Sequence, residues 1–463
     1  MIASLEQPLP TEPAAALPRP SVAALRAPVG LFCAALGFCC FFPYPAVAVG
    51  NYSAIQAGNV MVLLMGVPAL LVSWKRRPFW VFPLLVAPLC VSALKAAMAG
   101  QDDLDVCLKG LSVWGLSCMT VLATQLCAPR YAVRMLAGVA LAALLHAAVG
   151  LWQLYGFSQG ELPLADLYVN PSFLSVRDNA TIIARYVQRP FGLFPEPSAM
   201  AASLAPWVLV LLALSFGLVR LRDTVGARHR LFFGAAALGG LGLIIVSRSG
   251  HAAPTCLGVV LLMGAWFLRA RATPRTFLAV VVVFGLFLPV VVYLAAQSVG
   301  DRLGGKTEFG NSSWGERADS LATGFRLVAD SDLPTNLFGM GVGLMSPALK
   351  ESAGLDAVFS VLLTYVFETG VVGAIAVACV GYFLLRVWAA TRFDLTFALV
   401  AGVWLVGVTL ITSYEQLLPV WMTLGWLTVW PEIITNLGGP STDGEYSVAA
   451  CVRPVPNVAR SAA

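Results

Sequence analysis

Four short stretches of the chain hold residues whose types and spacing suit chemistry on an anionic group. The first is Arg189-Pro-Phe-Gly-Leu-Phe-Pro-Glu-Pro-Ser198, preceded by Arg177 and Arg185. Its three prolines do not continue a helix, so extended or re-entrant backbone is expected, which is tolerated at membrane depth only where protein or a water-filled cavity surrounds it. Such a lining sets Arg189 and Glu196 at a cavity; the plainer reading is that Pro and Arg shape and solvate a loop end. The second stretch is the turn Ser247-Arg-Ser-Gly-His251. Arg248 there presents a planar guanidinium suited to phosphate oxygens, while Ser and Gly permit close backbone approach. Against this stands simple snorkelling of a span-end arginine, and His251 reads as a turn residue.

The third stretch runs from Gly315 to Arg326, with apolar residues at helical spacing and with Arg317 and Arg326 nine positions apart, so that they need not share a face. It continues through Asp330 to Gly343, where glycines at 339, 341 and 343 make a weak phosphate loop, since no strand or basic residue accompanies them. A solvated amphipathic helix is the competing interpretation. The fourth is Glu368-Thr-Gly370 inside an apolar run. An intramembrane carboxylate costs about 2–3 kcal/mol, so this one should face the bundle interior or a cavity. Structural pairing and a functional role are both open for it.

The elements that must position these residues follow from composition. Of 463 residues 59% are apolar and 11% charged, against about 25% charged in a soluble domain, and the mean hydropathy is +0.81. The class is therefore an all-α polytopic membrane protein; the apolar runs are continuous and lack the alternation of barrel strands. Windows of about 20 apolar residues predict twelve spans, near 29–49, 54–73, 79–98, 106–127, 132–155, 199–219, 231–247, 252–268, 276–297, 357–385, 395–413 and 417–436. Residues 1–26 and 438–463 read as disordered tails around a single transmembrane domain, 27–437. The first apolar segment is long enough to be a signal anchor and does not resemble a cleaved signal peptide.

Fourteen basic residues, from Lys75 to Arg392, fall in five alternate loops. Short cytoplasmic loops carry the excess of Lys and Arg, so that side is expected to be the cytoplasm, with both termini on it. The opposite side then receives two long loops, about 156–198 and 298–356, and all four stretches above. Loops of that length are usually functional or disordered. A net charge of +5 is too small to suggest nucleic acid as a partner. The ten cysteines lie mostly in apolar spans and the three histidines, His146, His229 and His251, are far apart. Neither a disulfide framework nor a metal site is expected. There is no P-loop, dinucleotide fingerprint or internal repeat.

Taken in order, Arg-Pro-Phe-Gly-Leu-Phe-Pro-Glu-Pro-Ser before a span, Ser-Arg-Ser-Gly between two spans, an Arg-containing helix followed by Pro-x-x-x-Leu-Phe-Gly-x-Gly, and Glu-x-Gly in the next span resemble the O-antigen ligase and polymerase superfamily. The likeness covers about residues 130–415. It implies a GT-C-like fold and a metal-independent glycosyltransferase without cofactor, acting on undecaprenyl-diphosphate-linked oligosaccharides at the periplasmic face of a bacterial inner membrane. By the resemblance Arg189, Arg248 and Arg317 hold the diphosphate, with Arg326 as a further ligand, and Arg248 and Arg317 assist catalysis. Fixed guanidinium groups in a partly dehydrated cavity stabilise charge on such a leaving group without a metal. Glu196 is the candidate base for the acceptor hydroxyl. A flippase and a chain-length regulator of the same pathway are the implied protein partners. Ligases of the family usually carry a His-Asn pair about nine residues before Glu-x-Gly, where this chain has Phe359 and Ser360. That favours polymerisation of repeat units, for exopolysaccharide, capsule or O-antigen, over transfer to lipid A core. The alternative from another class is a flippase or transporter for lipid-linked glycans.

Overall fold

The computed structural model describes residues 22–44, 46–49, 53–73, 77–99, 101–168, 188–221, 225–269, 313–355, 358–411 and 416–434. The expected ninth span, most of both tails, Arg177 and Arg185 lie outside these residues. The fold is mostly helical. In chain order the helices are α1 (Val22–Cys39), α2 (Ala57–Ser73), α3 (Val81–Ala99), α4 (Gln101–Ser158), α5 (Pro197–Ser215), α6 (Ala227–Val246) and α7 (Ala252–Arg269). Then come α8 (Ser313–Ala329), α9 (Leu333–Phe338), α10 (Met345–Ala353), α11 (Val361–Ala390), α12 (Leu395–Val406), α13 (Leu418–Thr428) and α14 (Trp430–Ile433). Among the described residues, five helices are long and apolar enough to cross a membrane: Pro78–Met98, Leu104–Ser158, Pro197–Ser215, Ala227–Val246 and Val361–Ala390. Four shorter apolar helices accompany them.

Several boundaries differ from the sequence reading. Helix α1 begins at Val22, inside the segment read as tail, and ends at Cys39. The end of the first expected span and the start of the second instead form an antiparallel hairpin, β1 (Ala46–Val49) and β2 (Ser53–Gln56), with Ala46 opposite Gln56 and Val49 opposite Ser53. The expected fourth and fifth spans are joined in α4 without a loop. At 58 residues a straight helix would be about 87 Å long, far beyond a bilayer core of about 30 Å. The chain resolves this with a kink at Tyr131 (φ −134°), just after Pro129.

Helix α5 is the centre of the fold. Every residue from Ala199 to Leu214 is buried, as expected for a helix apolar on all sides and enclosed by others. It packs on α6 and α12, while α4 receives α1, α2, α3, α6 and α13. Helix α13 is likewise buried along its whole length, so the expected last span is an interior element of eleven residues followed by a separate turn. The segment after α12 tightens into a π-helical turn, Gly407–Ile411. The large loop read from the sequence carries α8, α9 and α10, which dock on α11.

Candidate functional site

The site grows from the N-terminus of α5. Two polar side chains of α4 hold the irregular segment that leads into it. Gln153 Oε1 accepts from the Phe191 and Gly192 amides, both at 2.9 Å. Gln153 Nε2 donates to the Gly192 carbonyl at 2.8 Å and to the Tyr168 hydroxyl at 2.6 Å, and that hydroxyl donates to the same carbonyl at 2.6 Å. His146 Nδ1 accepts from Leu193 N at 3.2 Å, which leaves its proton on Nε2 to donate to the Phe41 carbonyl at 2.9 Å. Gly192 sits at φ +58°, and a Cβ there would lie 2.6 Å from His146 Nδ1. Phe191, Leu193 and Phe194 are buried. The irregular backbone is thus satisfied by protein, the condition for such a segment in an apolar surrounding.

This scaffold fixes Arg189 at one end and Glu196 at the other. Arg189 Nε donates to the Ser247 carbonyl at 2.8 Å, and its Nη2 to the Arg248 carbonyl at 3.0 Å. The guanidinium therefore bridges to the turn between α6 and α7. Glu196 is the N-cap residue of α5, in extended conformation, with Pro197 as the first helical residue. Its side-chain oxygen accepts from the Ser198 hydroxyl, and a carboxylate is favoured at a helix N-terminus. Burial raises the Glu196 carboxyl above its ordinary value of 4.5, opposed by the Ser198 hydrogen bond and by the charges of Arg317 and Arg189. Burial lowers the Arg189 guanidinium; the charge of Glu196 sustains it and that of Arg248 opposes it.

Arg248 occupies the turn at φ +49°, a left-handed conformation that costs a non-glycine residue about 1–2 kcal/mol. Its side chain is exposed and makes no hydrogen bond or ion pair with any described residue. Arg317, half-buried on α8, lays its guanidinium over the Phe359 ring at 5.0 Å from the centroid, a cation–π arrangement. Its charge also reaches His251. That imidazole is fully buried. Burial first, then the charge of Arg317, push it down to about 3. The Val403 carbonyl opposes the shift, yet neither ring nitrogen makes a well-formed hydrogen bond to a described residue. The π turn packs directly on the ring: a Cβ on Gly407 would lie 2.9 Å from His251 Nε2.

The structure thus gathers Arg189, Glu196, Arg248 and Arg317, together with His251, where α5 begins, α6 gives way to α7, and α8 docks. Arg326 is not part of this group. Nine residues at about 100° each set it about 180° from Arg317 around α8, and it is exposed. The positions where ligases carry His-Asn have other work here. Phe359 underlies Arg317; Ser360 caps α11 by accepting from Leu363 N at 3.2 Å and donates to Val408 O at 3.3 Å. Among the described residues no three His, Cys, Asp or Glu side chains cluster as metal ligands would.

A second polar constellation lies inside the bundle. Helix α11 breaks at Gly370, with φ +67° and ψ −155°, and the glycine run of the large loop fills the break. Met340 N donates to Phe367 O at 3.0 Å and Gly341 N to Glu368 O at 3.4 Å. The Glu368 carbonyl also accepts from Ser92 Oγ of α3. The Glu368 carboxylate accepts from Trp114 Nε1 at 2.9 Å, and both side chains are buried. Lys95 of α3 completes the attachment, donating to Thr335 Oγ1 at 2.6 Å and to Gly339 O at 2.7 Å. The glycines therefore serve as a hook into a broken helix.

No family model, curated protein or solved structure matches the chain. Sequence reasoning missed Gln153, His146, Trp114 and Lys95. Each carried a readable signal, a polar or basic side chain inside an apolar span, but nothing in its neighbours named the partner.

Proposed function

We propose that the chain is a glycosyltransferase that polymerises undecaprenyl-diphosphate-linked repeat units at the periplasmic face of a bacterial inner membrane. The observation that carries this reading is that the charges of Arg189 and Arg317 act on Glu196 at the N-terminus of the buried helix α5, while Arg189 also holds the turn that carries Arg248. Arg248 is the exposed cation of the group and is suited to an incoming diphosphate, which guanidinium groups bind in a planar, forked geometry. In the reaction an acceptor hydroxyl oxygen attacks the anomeric carbon of the donor. The bond from that carbon to the diphosphate oxygen breaks, and the diphosphate leaves with the bonding pair. Arg248 and Arg317 stabilise the charge that builds on it. The hydroxyl proton passes to the Glu196 carboxylate, whose raised affinity for protons suits it to that task.

In this reading the protein has about twelve spans in a GT-C-like arrangement, both termini are cytoplasmic, and α8 to α10 lie on the outer side beside the site. Phe359 beneath Arg317 favours polymerisation over ligation to lipid A core, because the ligase histidine has no counterpart there. A second reading, transport of lipid-linked glycans, draws support from the broken helix α11 with its internal carboxylate, a feature of transporter binding sites. The deciding experiment incubates purified protein in nanodiscs with a lipid-diphosphate-linked oligosaccharide, without metal or nucleotide, and resolves the products by mass. The expected result is a ladder of whole repeat units, lost in Arg248→Ala and Arg317→Ala. Transfer only to added lipid A core would make the protein a ligase, and no reaction across a range of lipid-linked donors would favour transport.

A further inference from the structure

We infer that Arg189 is a positioning residue: it fastens the turn that carries Arg248, leaving Arg248 to meet the anionic substrate. The family resemblance would make Arg189 a diphosphate ligand in its own right, but the geometry points elsewhere. Helix α6 ends at Val246, and the last carbonyls of a helix have no intrahelical donors. Arg189 supplies donors to two carbonyls at that end, Ser247 O at 2.8 Å through Nε and Arg248 O at 3.0 Å through Nη2. A guanidinium is also the charge favoured at a helix C-terminus, and only its rigid fork reaches two acceptors with two separate nitrogens.

The turn needs such a clamp. It passes from α6 to α7 within Ser247–His251, with Ala252 N already bonded to Ser249 O at 2.9 Å. Within it Arg248, a residue with a Cβ, is held at φ +49°. Strained backbone of this kind persists only where its surroundings over-determine it. Arg189 is itself anchored by the Gln153 and His146 bonds to the segment that follows it. A chain of named contacts therefore runs from α4 through Arg189 to the backbone of Arg248, and it sets where the exposed guanidinium sits.

What Arg248 binds rests on the function proposed above; the clamp does not, and the test separates them. Hydrogen exchange is measured on ligand-free protein in nanodiscs for wild type, Arg189→Gln and Arg189→Lys. In both variants exchange across Arg248–Ala252 should rise by about tenfold or more, as expected when charged hydrogen bonds are lost, with the rest of the protein unchanged. The lysine variant keeps the charge and serves where the glutamine variant does not fold. Unchanged exchange in the turn overturns the inference. In the second arm, undecaprenyl diphosphate is titrated against wild type, Arg189→Gln, Arg248→Gln and the double variant. If Arg189 acts through Arg248, the double variant binds no more weakly than Arg248→Gln alone. Multiplied losses would make Arg189 an independent ligand and refute the positioning role. Absence of binding by the wild type would refute the diphosphate reading, while the exchange arm still decides the clamp.

Discussion

Replacing Gly339 by alanine tests the hook that ties the large loop to the broken helix. A Cβ at this position would lie 2.0 Å from the Glu368 carbonyl oxygen, 2.2 Å from its carbon and 2.4 Å from Thr369 N. All three are backbone atoms, so no side chain can swing aside. The residue also sits at φ +86° and ψ 172°, a region essentially restricted to glycine that costs a residue with a Cβ about 1–3 kcal/mol. The hook should therefore detach, and detachment breaks the Met340–Phe367, Gly341–Glu368 and Lys95–Gly339 hydrogen bonds. With the two neutral bonds worth about 0.5–1.5 kcal/mol each and the ammonium bond about 1.5–3 kcal/mol, the loss is about 2.5–6 kcal/mol. That corresponds to a rise of about two to four orders of magnitude in the local opening equilibrium, read by hydrogen exchange at Met340 and Gly341. Gly115→Ala, where a new Cβ meets nothing within 4 Å, is the control and should be neutral or slightly stabilising. Equal exchange at the hook in the two variants would mean that the close approach at Gly339 does not hold the loop to α11.

Trp114→Phe removes the indole donor from the buried Glu368 carboxylate and should cost about 1.5–3 kcal/mol, seen as a lower unfolding midpoint. Glu196 sits above its ordinary value of 4.5 because it is buried, so the folded state holds its proton more tightly than the unfolded chain does. Wild-type stability measured against Glu196→Gln should therefore be greatest at low pH and fall as pH rises from about 4.5 through the raised value. If the ionised carboxylate is the base, the acid limb of the activity profile likewise lies above pH 4.5, and Glu196→Gln removes that limb together with most of the rate. An acid limb unchanged in the variant would assign the proton to another group.

The helical positions were legible wherever a long apolar run met a basic or Pro/Gly-rich stretch, as at Pro197–Ser215 and Ala227–Val246. Hydropathy alone did not tell lipid contact from protein contact, so α13, eleven residues buried among other helices, was not distinguishable in the sequence from a lipid-facing run. Nor did it separate helix from strand in Ala46–Val49, where four small apolar residues in a row carry no period. Within the site, Arg189, Glu196, Arg248 and Arg317 were legible as residue types on one expected side of the membrane. Their roles were not. The Arg189 fork closes on carbonyls 58 and 59 residues away, and a carbonyl is present at every position, so no sequence pattern marks the two that accept.

The break in α11 bears on how the protein is made. The carbonyls of Phe367 and Glu368 take donors from Met340 and Gly341, each 27 residues earlier in the chain. The donors thus leave the ribosome before the helix that needs them. Had α11 entered lipid alone, its interrupted turn would carry unsatisfied carbonyls into hydrocarbon, at several kcal/mol each. Chain order removes that problem only if the hook is already in place on its side of the membrane when α11 is released. Loss of the glycine run is therefore expected to lower the yield of inserted protein as well as the stability of the folded state.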